Sequence, residues 1–264
     1  MKVSLIQTNS QSDKAANIAA AKELMERAIS EEHPDLLVLP ETFDFVGGTP
    51  AEKLRAGESV PGGPAYSMCQ EVARAHGVFV HAGSLVEKVP SEDKVHNTTA
   101  VFDRSGREVA RYRKIHLFDI VTPDGLEYKE SATVKPGNAV VTYNLEGLTV
   151  GCSICYDLRF PELFQALVRK GSQVIALPAC FTLQTGKDHW EVLCRPRSVT
   201  GIGVAHPPIA RISFTASATA AFSGQKPLLS RRLMGLNFFI GIRPFCLWLC
   251  ALWPADLPPG GPAE

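Results

Sequence analysis

The sequence predicts an α/β layered sandwich. Three observations carry this prediction: short apolar runs of strand type alternate with helix patterns, two strand pairs are joined by hairpin chemistry, and 45% of the 264 residues are apolar. Such a composition excludes intrinsic disorder as the main state. Residues 2–7 form a short β-type run. Residues 13–32 read as a helix, because Ile18, Ala21, Leu24, Met25, Ala28 and Ile29 recur at spacings of three and four. The apolar run at 35–39 is a buried strand. A second helix spans 64–76 and is stopped by Gly77, and residues 78–86 follow as one strand. Residues 97–102 and 108–112 make a hairpin around Asp103 to Gly106, and residues 139–145 and 148–154 make another around Glu146-Gly147. A helix over 161–170 ends at Gly171, and 173–177 is the last clear strand.

Charge narrows the function classes. Lys plus Arg and Asp plus Glu stand at 27 each, so no overall basic field exists to gather nucleic acid or anionic lipid, and neither is expected as a partner. The N-terminal run turns polar at Gln7, which is not the apolar stretch of a secretion signal, so a cytoplasmic, reducing setting is expected. Seven Cys, an odd number, then read as free thiols.

Composition breaks after Cys194. Residues 1–194 carry 20 Lys/Arg against 25 Asp/Glu, whereas 195–264 carry 7 against 2, and the last 70 residues hold 9 of the 19 prolines. The expected organisation is one domain over 1–194 and a divergent or frameshifted, poorly ordered tail over 195–264. Within that tail, residues 233–253 approach the ~20 apolar residues a bilayer span needs, but Arg243-Pro244 near the middle argues against a span.

The most informative local feature is Gly151-Cys-Ser-Ile-Cys-Tyr-Asp157. A strand runs into a tight turn at Cys155 before a helix near Pro161, which presents a thiol at the end of a sheet close to backbone N–H groups. Taken alone, Cys155 reads first as a small buried hydrophobe, the commoner fate of a free Cys. Cys152 and Cys155 also form a C-x-x-C, but Cys152 lies within the strand, and zinc would need a second pair that only Cys246 and Cys250 offer. A cysteine nucleophile needs a base and a stabiliser for the oxyanion. Glu41, delivered to the end of an apolar strand, and Lys114, directly after a hairpin strand, are candidates, although each alone reads as an ordinary surface charge. His33, His76, His81, His96 and His116 show no metal spacing, and Asn97-Thr-Thr99 matches a glycosylation acceptor but reads as part of a hairpin.

Together, Leu39-Pro-Glu-Thr-Phe43, Tyr112-Arg-Lys-Ile-His-Leu-Phe-Asp119 and Ile154-Cys-Tyr-Asp-Leu-Arg-Phe-Pro-Glu-Leu163 resemble the Glu, Lys and Cys blocks of the nitrilase, or carbon-nitrogen hydrolase, superfamily. Lys129-Glu-Ser131 is similar to the block holding that family's second active-site Glu, and Pro178-Ala-Cys-Phe-Thr182 with His189-Trp-Glu191 continues the likeness to about residue 194. Within the superfamily the chain looks most like the Nit-like amidase branch.

The resemblance implies an α-β-β-α sandwich and a Glu41–Lys114–Cys155 triad that cleaves a small carboxylate-bearing amide to acid and ammonia through a thioester. It also implies that Tyr156 holds the oxyanion through its backbone N–H, that Glu130 fixes Lys114 or the leaving amine, and that Arg159 meets a substrate carboxylate or else pairs with Glu162. No metal or organic cofactor is implied, and a homodimer is. N-carbamoyl amines or nitriles are alternative substrates on the same fold. A catalytically inactive chain is the alternative that the tail suggests, because lost strands would leave apolar faces uncovered.

Overall fold

The structure, a computed structural model, describes residues 1–122 and 125–198 and the backbone of Trp248–Leu249. The rest of the tail, including most of the apolar run at 233–253 and the Cys246/Cys250 pair, lies outside the described residues.

The chain opens with Val3–Leu5 (β1) and Lys14–Glu32 (α1), whose first turn is capped by Asp13 accepting from the Ala16 N–H at 3.0 Å. Leu36–Val38 (β2), Pro50–Ala56 (α2), Pro64–His76 (α3) and Phe79–His81 (β3) follow. Helix α3 starts on proline and ends at Gly77 with φ 62°, as its sequence signals require. Leu85–Lys88 (β4), Val95–Phe102 (β5) and Glu108–Arg113 (β6) complete the first sheet. The single strand expected over 78–86 is thus two strands. Between them Gly83 sits at φ +47°, where a Cβ would lie 2.0 Å from the Pro40 carbonyl oxygen, so this close approach breaks the run.

In this sheet β1, β2 and β3 are parallel, and β5 takes β3 and β4 along one edge and β6 along the other, all antiparallel. A small exposed hairpin joins Asp119–Val121 (β7) to Glu127–Lys129 (β8). The second sheet holds Thr142–Leu145 (β9), Leu148–Cys152 (β10) and Val174–Ala176 (β11), the last two bracketing the helix Pro161–Arg169 (α4). The β9–β10 turn has positive φ at both Glu146 and Gly147, the twist a two-residue hairpin needs.

Alternation along the strands separates two cores. Leu37, Leu39, Val80, Ala82 and Ala100 pack with Leu24 and Met25 of α1 and Cys69 and Val72 of α3. Val3, Leu36, Val38, Val101 and Tyr112 instead meet Tyr143, Val150 and Cys152 of the second sheet, and α4 covers its outer side through Leu163, Phe164 and Leu167. The layer order is helix, sheet, sheet, helix, the sandwich expected from the sequence.

Two elements fall at the expected boundary and beyond it. Leu183–Ser198 (α5) runs through Cys194. Trp248–Leu249 (β12) pairs in parallel with β11, a strand that the tail's composition does not signal. No helix of the described residues is long and apolar enough to cross a membrane. Cys69, Cys152, Cys155, Cys180 and Cys194 are free thiols.

His81 lies fully buried between the sheets, its Nδ1 3.3 Å from the Tyr143 hydroxyl and its Nε2 without a partner. Burial drops its pKa to about 3. The unfolded chain therefore binds a proton below pH ~6.5 that the folded chain refuses, and stability present above that pH is lost as pH falls. We expect about 2 kcal/mol of lost stability between pH 6.5 and 5 from this residue. Denaturant unfolding of the wild type and His81→Gln at both pH values checks this, and an equal pH slope in the two would refute it.

Candidate active site

Glu41, Lys114, Glu130 and Cys155 each stand just after a strand ends. Glu41 follows β2, and its loop is pinned because Ser84 Oγ accepts the Thr42 N–H at 2.8 Å and the Ser84 carbonyl accepts the Phe43 N–H at 3.1 Å. Lys114 follows β6 and donates its backbone N–H to the Asn97 carbonyl at 2.9 Å. Cys155 follows β10 in a sharp turn, with a left-handed φ of 44° that is rare for a side chain of its kind. Asp157 holds that turn: its carboxylate accepts the Ile154 N–H at 2.8 Å and the Tyr112 hydroxyl at 2.6 Å, and also the His116 backbone N–H at 3.1 Å. One buried carboxylate therefore ties the Cys155 elbow to the segment that carries Lys114.

Glu41, Lys114, Glu130, Cys155, Tyr156 and Arg159, all six residues singled out in the sequence, line one cavity of about 410 Å³. At its centre Lys114 Nζ lies 2.9 Å from Glu41 Oε1 and 3.0 Å from Glu130 Oε2, with Lys114 and Glu41 both buried. Glu41 Oε1 also accepts from Asn97 Nδ2 at 2.9 Å, and its Oε2 accepts the Cys180 backbone N–H at 2.8 Å. Glu130 accepts the Phe118 N–H at 2.7 Å and Asn97 Nδ2 at 3.3 Å. Every carboxylate oxygen in this cluster is held by a donor.

The electrostatics follow from this packing. Burial works against the charge on Lys114, but Glu41 and Glu130 outweigh it and hold the ammonium well above its usual range. Burial likewise opposes ionisation of Glu130, yet Lys114, the Phe118 N–H and Lys53 hold it below the usual carboxylate range. The Cys155 thiol is pushed well up, first by burial and then by the Glu41 charge, with Lys114 and the Cys180 N–H acting the other way. Cys155 thus rests as a thiol beside the Glu41 carboxylate. The Cys155 N–H is spent on the Pro178 carbonyl at 2.8 Å, whereas no described backbone carbonyl takes the N–H of Tyr156.

Arg159 donates from a guanidinium nitrogen to His189 Nδ1 at 2.9 Å and stacks over the Tyr156 ring at 5.5 Å. Among the described residues it makes no ion pair with Glu162. Phe118 meets the Tyr128 ring at 5.4 Å and the Tyr156 ring at 5.2 Å, forming an aromatic wall. Sequence reasoning missed Asn97, which bridges the two carboxylates, and Lys53 and Cys180, which also line the cavity. Asn97 lies on a strand buried on both faces, so no alternation marks it. No group of His, Cys, Asp and Glu able to hold a metal ion occurs among the described residues.

The family described as Carbon-nitrogen hydrolase matches residues 2–201, and the chain belongs to it. Among its relatives, the deaminated glutathione amidase of Synechocystis sp. is 39% identical over 197 residues, covering 74% of this chain and 71% of the relative. The omega-amidase NIT2 of Homo sapiens is 37% identical over 200 residues, covering 75% and 70%. The crystal structure of Saccharomyces cerevisiae Nit3, a member of branch 10 of the nitrilase superfamily, matches with a TM-score of 0.65 and 32% identity over 73% of this chain and 69% of that one. These likenesses set the chain among the Nit-like amidases, and the family match extends past Cys194 to residue 201.

Proposed function

We propose that this chain hydrolyses a small carboxylate-bearing amide to the acid and ammonia through a thioester on Cys155. The observation that carries the reading is the placement of Glu41, Lys114 and Glu130 within hydrogen-bonding distance of one another on the wall of the cavity that Cys155 lines. Glu41 takes the thiol proton as the sulfur attacks the amide carbonyl, and the developing oxyanion is met by Lys114 Nζ and the Tyr156 N–H. The C–N bond breaks as Glu41 returns that proton to the amine, and ammonia leaves. Water then adds to the thioester, Glu41 accepting its proton, and the carboxylic acid departs with Cys155 restored as a thiol. Glu130 and Asn97 keep Lys114 and Glu41 in register through both halves.

The carboxylate in the substrate is supported by Arg159 on the cavity wall and by relatives described as deaminated glutathione amidase and omega-amidases. Arg159→Ala is expected to raise KM for an acidic ω-amide roughly tenfold more than for a neutral one. The break in charge and proline content after Cys194 supports a further proposal, that residues 195–264 supply no group to this chemistry. The homodimer is also proposed, with sedimentation of the full chain as its test. An ammonia-release assay over acidic and neutral amides, N-carbamoyl amines and nitriles tests the whole reading. Acidic amides should lead, and a preference for nitriles or carbamoyl amines would overturn it.

A further inference from the structure

Lys53 is the one lysine of helix α2. Proline at the first position and a reciprocal Thr49–Glu52 cap fix that short helix, with the Glu52 carboxylate accepting the Thr49 N–H at 2.6 Å. Gly47, Gly48, Thr49 and Pro50 line the cavity together with Lys53, so the start of α2 and the loop before it form one wall. The Lys53 ammonium is half-buried and makes no hydrogen bond or ion pair with any described residue. Its neighbours Glu41 and Glu130 are already held by Lys114.

The balance of charge around the reacting centre gives this cation a task. Two carboxylates share the single ammonium of Lys114, which leaves the centre negative and hostile to an incoming anion. A substrate carboxylate can enter such a partly dry cavity only against further positive charge. Arg159 supplies one cation, but its guanidinium is already engaged by His189 and Tyr156. Lys53 supplies the other, with all three of its N–H donors uncommitted.

We propose that Lys53 receives the free carboxylate of the acyl chain and sets the preference for acidic over neutral amides. This inference rests on the amidase reading above and assigns the residue that selects its substrate class. A compact ammonium on a flexible stem suits an anion whose distance from the scissile amide varies by a methylene or so. Arg159, held by His189 and Tyr156, meets the same end of the substrate and adds to that preference.

The test compares glutaramate with pentanamide, two amides of equal chain length that differ in a terminal carboxylate against a methyl group. In the full chain, Lys53→Met should lower the ratio of kcat/KM for glutaramate over pentanamide by about ten- to a hundredfold, chiefly through KM, and Lys53→Arg should restore most of the ratio. Inhibition of pentanamide hydrolysis by glutarate should weaken in Lys53→Met to a similar extent. A wild-type ratio well above one that survives Lys53→Met unchanged, or an equal fall on both amides, would overturn the role of Lys53 while leaving the amidase reading in place. A wild-type ratio at or below one would overturn the carboxylate reading itself, and this inference with it.

Discussion

Cys155→Ala is expected to lower turnover of the best amide on the order of 10⁴- to 10⁶-fold, because removing a nucleophile leaves only binding and oxyanion stabilisation. Cys152→Ala should keep most of the activity. The two thiols are three residues apart but face different surroundings. Cys155 sits in the strained elbow on the cavity wall, beside Glu41 and Lys114. Cys152 is fully buried between the sheets, where burial alone pushes its thiol up to about 12. Its truncation removes packing rather than chemistry and should cost about 1 kcal/mol of stability. Steady-state kinetics with denaturant unfolding of both variants separates the two effects. Equal loss of activity, or a Cys152–Cys155 disulfide in the wild type seen by mass spectrometry, would point to redox chemistry instead.

Glu41 and Lys114 should fail in different ways. Glu41→Gln keeps the shape and a hydrogen-bonding side chain but removes the base for both half-reactions, and a fall of roughly 10²- to 10⁴-fold in kcat is expected. Lys114→Met removes the charge that meets the oxyanion, and it leaves the buried Glu41 and the partly buried Glu130 without their shared cation. That variant should form no detectable thioester. It should also lose stability, by about 3 to 5 kcal/mol, since one partner of a buried ion pair is gone. Rapid-quench measurement of the acyl-enzyme distinguishes them, and wild-type turnover in either variant would contradict the assignment.

How much of this was legible beforehand depends on the kind of signal each residue carries. Helices α1 and α3 announce themselves through a capping Asp13, a first-turn Pro64 and a terminal Gly77, and the structure follows all three. Helix α2 is too short for its periodicity to register, although Thr49-Pro-Ala-Glu52 spells a capping box that would have located it. The division of the strand at 78–86 is invisible locally, because it arises from the approach of Gly83 to Pro40 across the sheet. The exposed β7–β8 hairpin lacks the buried alternation that marks a strand, and α5 carries Gly186 and Pro196, which argue against a helix.

Glu41, Lys114 and Cys155 stood out in the sequence because the three blocks that hold them each carry a distinctive run of neighbours. Asn97 did not: its role depends on the register that brings β5 beside Glu41 and Glu130, and an asparagine in a strand reads the same whether or not two carboxylates lie next to it. Lys53 likewise becomes meaningful only once α2 is seen on the cavity wall.

The central claim is covalent catalysis by Cys155, and intact-mass spectrometry of the full chain, acid-quenched during turnover of an acidic ω-amide, tests it most directly. The account predicts an adduct equal to the amide less ammonia, mapping to the peptide that contains Cys155, absent from Cys155→Ala and accumulating in a variant slowed at the water step. Ammonia release at the wild-type rate with no adduct at any quench time, or an adduct mapping to Cys180 in place of Cys155, would contradict it.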